Sequence, residues 1–185
     1  MKIIHLSDTH IDPEILHNID PQNRFKLALE HIKNNHANAD HFMITGDLTH
    51  FGNDESYQIF IKILSDAELP NHLYPKLILG NHDNRENFKN NFPHVKTDQN
   101  GFVQYVENND DKIFIFLDTN LAGTDAGHLC EKRQKWLKET LEKGKGNKIY
   151  IFMHHNPLAI GHIDSDGIGL VQREDLKKIL LQYQS

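Results

Sequence analysis

A single cysteine, Cys130, stands in this chain of 185 residues, so no intrachain disulfide can form and no thiolate cluster can hold a metal. No apolar run reaches the length of a membrane span. Basic residues are too few to leave a cationic footprint, with 20 Lys and Arg against 26 Asp and Glu. That balance argues against nucleic acid and an anionic membrane as partners. It does not argue against a small phosphorylated substrate, because bound cations reverse the field of an acidic site. Repeats, low-complexity tracts and linkers rich in Pro, Gly or Ser are also missing, and the expectation is one domain over residues 1–185. The first residues run straight into a strand pattern with no signal-peptide core, which makes the cytoplasm the expected compartment.

What is plentiful is histidine, with 14 residues, and this raises the prospect of metal or acid–base chemistry. Short apolar runs alternate with helical patterns, the signature of an α/β fold. The predicted strands are Lys2–Leu6, His41–Thr45, Leu73–Leu79, Gly101–Val106, Lys112–Leu117 and Lys148–Met153. Helices are expected over Arg24–Asn34, Asp54–Asp66 (capped by Asn53 or Asp54), Glu131–Lys143 and Glu174 to about Gln182.

The chemistry-bearing residues fall where predicted strands end. Asp8 and His10 follow the first strand; two apart on extended backbone, they would point the same way and suit a borderline divalent ion. Alone, such a pair is more often a plain polar strand end. Gly46-Asp47 closes the second strand, where an isolated Asp would more often serve a turn or cap. Gly80-Asn81-His82-Asp83 closes the third, offering a neutral oxygen, an imidazole and a carboxylate able to orient that imidazole. His154 and His155 follow a fully apolar strand and precede Pro157. His154, nearer the strand, is the expected ligand; His155 is assigned to support or substrate contact.

Taken together and in this order, these motifs resemble the calcineurin-like metallophosphoesterase family. Gly46-Asp47-Leu48 with Gly52 and Tyr57, Gly80 to Arg85, His154 to Pro157 and Asp166 to Leu170 are similar to its class III cyclic-nucleotide phosphodiesterase branch. The resemblance implies a layered αββα sandwich and two divalent ions of Mn, Fe, Zn or Co type. Asp8, His10 and Asp47 would hold the first ion, and Asp47, Asn81 and His154 the second. The substrate would be a small phosphodiester, with a 3',5'-cyclic nucleotide foremost, attacked by hydroxide that the two cations activate. His82 would stabilise a phosphoryl oxygen or protonate the leaving group, and Asp83 would hold its tautomer.

One departure stands out. The family's Gly-His-x-His element, which gives one imidazole to each metal, has no match, and the chain ends in the helix before it. Gly161-His162-Ile163-Asp164 mimics the element but lies too few residues after His155 for a parallel crossover. The expectation is therefore a chain truncated at its C-terminus, lacking strands there and exposing a sheet edge that favours dimerisation. Against the phosphodiesterase stand an inactive or weakly active fragment and a phosphomonoesterase.

Overall fold

A computed structural model describes residues 1–183; Gln184 and Ser185, placed by the sequence reading at the end of the last helix, lie outside the described residues. The chain divides into two compact units, Met1–Val95 and Lys96–Ser185.

The first unit carries a three-stranded parallel sheet in the order β1 (Ile3–Leu6), β2 (His41–Thr45), β3 (Lys76–Ile78). Each crossover contains a helix, the usual connection between parallel strands. Helix α1 (Pro21–His36) starts where Asp20 accepts a bond from the Asn23 amide, with Pro21 supplying the fixed φ of a first turn. It buries Phe25, Leu29 and Ile32. Helix α2 (Asp54–Asp66) is capped by Asn53, which accepts from the Ser56 amide, and buries Tyr57, Phe60, Ile63 and Leu64. The two helices meet through Phe25 and Phe60, stacked with ring centroids 4.9 Å apart. Burying each such ring contributes about 1.5–3 kcal/mol.

Strand β3 is shorter than its apolar run, because Asn71–Leu73 forms a 3-10 turn and Pro75 follows it. Helix α3 (Arg85–Asn91) was not expected from the sequence; Asn84 caps it by accepting from the amides of Glu86 and Asn87.

The second unit holds a mixed sheet, β4 (Tyr105–Asn109), β5 (Lys112–Phe116) and β6 (Lys148–Phe152). The first two form an antiparallel hairpin, and α4 (Glu131–Lys143) carries the chain to the parallel β6. Strand β4 begins later than expected because Asp98 gathers the amides of Asn100 and Phe102 and the side chain of Gln104, folding 98–104 into a turn. One face of β5, with Ile113 and Ile115, packs in a core with Leu137 and Leu141 of α4. Leu176 and Ile179 of helix α6 (Arg173–Leu181) complete it. The short helix α5 (Ile163–Gly167) precedes α6. Among the described residues no helix is long and apolar enough to cross a membrane.

Candidate metal centre

Beyond β1 and β2 the two chain segments stay stitched together. The amides of Asp8, His10 and Ile11 donate to the carbonyls of Gly46, Asp47 and Leu48 at 2.9–3.1 Å, and the His50 amide returns to Ile11. This ladder brings Asp8, His10 and Asp47 into one cluster whose ligand atoms all lie within 4.8 Å of one another. The His10 Nε2 stands 3.7 Å from Asp8 Oδ1 and 3.6 Å from Asp47 Oδ2. Two carboxylates and an imidazole converging in this way fit a borderline divalent cation.

The convergence does not come from strand alternation, as the sequence reading had it. Asp8, His10 and Asp47 all have positive φ, 58°, 43° and 49°. Left-handed backbone at a non-glycine residue costs about 1–3 kcal/mol and persists where the surroundings over-determine it. Here the cross-strand ladder does so. Gly80 supplies the other half of the cradle: a Cβ there would collide with the Asp47 carboxylate and amide. The next turn then donates the His82 amide to Asp47 Oδ1 at 2.9 Å. Asn81, half-buried, sits between these two contacts in the chain.

Electrostatics agree with the geometry. The Asp8 carboxylate, followed by that of Asp47, holds His10 above the usual imidazole range despite its partial burial.

Two residues take parts other than those expected. The Nδ1 of His82 lies 2.8 Å from the His50 carbonyl oxygen. A carbonyl can only accept, so Nδ1 carries the hydrogen and the tautomer is set by backbone, not by Asp83. The Asp83 carboxylate instead accepts from the amides of Leu48, Thr49 and Gly80 and from the Tyr57 hydroxyl. It pins the turn after β2 to the turn after β3, and burial lifts it to about 6. His50 itself went unnoticed in the sequence. Its ring stacks on His82 at 4.9 Å, and its Nδ1 lies 3.4 Å from that of His10. His10, His50 and His82 thereby form a second candidate ligand group sharing His10 with the first. The signal available was a histidine three residues after Asp47, on the same turn.

In the second unit, His154 follows β6 half-buried, its ring 4.9 Å from that of His155. His155 is buried: Nδ1 meets the Thr119 hydroxyl at 2.7 Å, and the ring fills the space where Gly127 would carry a Cβ. Burial, then the neighbouring His154, lowers it to about 4, which favours the neutral ring. His162 caps α5 by accepting from the Ser165 amide.

Comparison with known proteins bears on this arrangement. The family model for calcineurin-like phosphoesterases matches residues 1–184. A probable cyclic nucleotide phosphodiesterase of Rhodopseudomonas palustris is 32% identical, covering 87% of this chain and 59% of its own length. A probable glycerophosphodiester phosphodiesterase of Arcobacter nitrofigilis is 30% identical over the whole chain and 68% of its own length. A 3',5'-cyclic adenosine monophosphate phosphodiesterase of Vibrio vulnificus is 26% identical, with 87% and 57% covered. The chain thus spans roughly three fifths to two thirds of these relatives' lengths. Divalent metal ions are what this family implies, and the carboxylate–imidazole cluster after β1 and β2 is chemically suited to them. With that cluster formed by the very segments the family model covers, the chain belongs to the calcineurin-like phosphoesterases.

Proposed function

We propose that this chain, as one domain over residues 1–185, hydrolyses a small phosphodiester with the help of two divalent cations. The single observation that carries the reading is the Asp8–His10–Asp47 cluster, built on strained backbone and cradled by Gly80. Left-handed backbone at three ligand-type residues, held by the cross-strand ladder, is what a pre-organised site would use.

Asp8 and His10 would hold the first ion with Asp47, and Asp47, Asn81 and His154 the second. Bound there, divalent cations lower the pKa of water and neutralise charge on the phosphoryl group. The protein's own residues do the rest. The His82 amide bond to Asp47 Oδ1 fixes the carboxylate plane. The His50 carbonyl keeps a hydrogen on His82 Nδ1, so Nε2 is the ring atom left to accept a proton and, once the ring is an imidazolium, to pass it to the leaving oxygen. Asp83 serves this by locking the two turns. The relatives' names include both cyclic-nucleotide and glycerophosphodiester phosphodiesterases, and a cAMP-type diester is our first choice. The one-cysteine composition fits a reducing compartment such as the cytoplasm.

The test is release of 4-nitrophenol from bis(4-nitrophenyl) phosphate by manganese-loaded protein, beside the monoester 4-nitrophenyl phosphate. Diester turnover should be abolished by EDTA. It should fall about 10²–10⁴-fold in His82→Ala, with metal content kept. Turnover of the monoester alone, or metal lost in step with rate in His82→Ala, would contradict the assignment.

A further inference from the structure

We propose that the cavity beside Asp8 and His10 is a subsite for an aromatic ester group. On this view the chain favours diesters bearing a nucleobase-sized or aryl substituent over those bearing small polar ones such as glycerol. The inference rests on the phosphodiesterase reading and deepens it.

The cavity measures about 410 Å³, within the size class of small-molecule sites. Asp8 and His10 form part of its wall, so a phosphoryl group at the cluster would direct one ester substituent into it. The remaining walls are mostly apolar, with His17 and Arg24 among them. Leu16 and Ile19 exchange both backbone bonds, at 2.9 and 2.7 Å, across a turn whose two central residues, His17 and Asn18, have φ of 48° and 64°. Such a pair of positive φ values makes a tight two-residue hairpin, which holds the two apolar side chains on neighbouring positions. From α1, Phe25 and Ala28 face the same space, one helical turn apart.

Two details argue for a ring in this cavity. Ala28, the smallest side chain on that helix face, leaves room where a leucine would fill the space. Arg24 also lines the cavity and is exposed, and a guanidinium packs well over an aromatic plane. A glycerol group would bury less apolar area against Leu16, Ile19 and Phe25 than a ring would. Ile19, 37% exposed, is apolar surface that a bound ring would cover.

Phenyl 4-nitrophenyl phosphate and methyl 4-nitrophenyl phosphate share a leaving group and differ only in the second ester. In the manganese-loaded 185-residue chain, kcat/KM should favour the phenyl diester by at least about tenfold, from the apolar area it buries. Ala28→Trp, which fills the cavity, and Ile19→Ser, which makes its wall polar without touching the hairpin's backbone bonds, should each bring the ratio close to one. Calorimetric binding of phenylphosphonate against methylphosphonate, whose C–P bonds are not cleaved, should show the same order and the same loss in both variants. Equal rates for the two diesters and equal phosphonate affinities would overturn the subsite and leave the phosphodiesterase standing. A phenylphosphonate preference that both variants abolish, with neither diester hydrolysed, would support the subsite while overturning the proposed activity. A preference surviving in both variants, with their unfolding midpoints unchanged, would place the ring elsewhere and overturn the inference.

Discussion

Each unit ends its strands in a polar cluster, yet the two clusters are built to opposite specifications. After β5 and β6, Asp118, Thr119, Asn120 and His155 are almost wholly buried; an arginine ties Asp118 to Asn120, and Thr119 pairs with His155. Arg133 Nη1 donates to the Asp118 carbonyl at 2.7 Å, to the Asn120 carbonyl at 3.0 Å and to Asp118 Oδ1 at 3.3 Å, while its guanidinium lies over the Phe102 ring. The other Asp118 oxygen accepts from the Val103 amide. Here a fixed cation of the protein neutralises the acid. After β1 and β2, acidic oxygens instead face an imidazole, on left-handed backbone, beside an open cavity. The lesson is that acidic residues at strand ends do not announce a metal; what separates the two cases is whether an arginine already fills the role.

The largest effect is expected in the second unit, where Arg133→Met leaves a buried carboxylate without its ion-pair partner and should cost about 3–5 kcal/mol. Urea unfolding checks this, and a loss under about 1 kcal/mol would mean the cluster is not structural. In the first unit, Gly80→Ala should displace the Asp47 carboxylate and weaken divalent metal binding about 10–100-fold, as loss of a supporting contact typically does. Manganese titration is the readout; unchanged affinity would remove Gly80 from the cradle. The smallest effect belongs to Tyr57→Phe, which takes one donor from Asp83 and leaves three amides in place. It should cost about 1 kcal/mol in urea unfolding with metal affinity nearly kept. A large loss of metal would instead bring Asp83 into the site.

Much of this was legible in the sequence. Helices α2 and α4 fall on their expected residues, because apolar spacing, an Asn cap and a closing glycine all act within a few residues. The motifs at the ends of β1, β2 and β3 stood out by position, but they read as ligands only through the resemblance they form together; the ladder from Asp8 to Ile11 brings Asp8, His10 and Asp47 into one cluster. The family implied by those residues is the one the chain belongs to.

What stayed hidden depends on long-range contacts. Asp83 looked like a partner for the adjacent His82, since neighbours in sequence are easily paired; its true partners lie 26 to 35 residues back on Tyr57, Thr49 and Leu48, and on Gly80. His155 was assigned to support or substrate contact because it adjoins His154; that its ring is buried where Gly127 lacks a Cβ was not visible in the sequence. The Leu16–Ile19 hairpin left no clear signal, for His17-Asn18 is an uncommon pair at a turn needing two positive φ values. Asn81 and His154 remain ligands by proposal.

The central claim is that Asp8, His10 and Asp47 hold a divalent cation. Calorimetric titration of manganese into the metal-free chain and into Asp47→Asn tests it most directly. The substitution removes the carboxylate assigned to both ions while keeping its shape. Saturable binding is expected in the native chain and none at matching concentrations in Asp47→Asn, with unfolding midpoints alike in EDTA. Equal manganese affinity in the two proteins would contradict it.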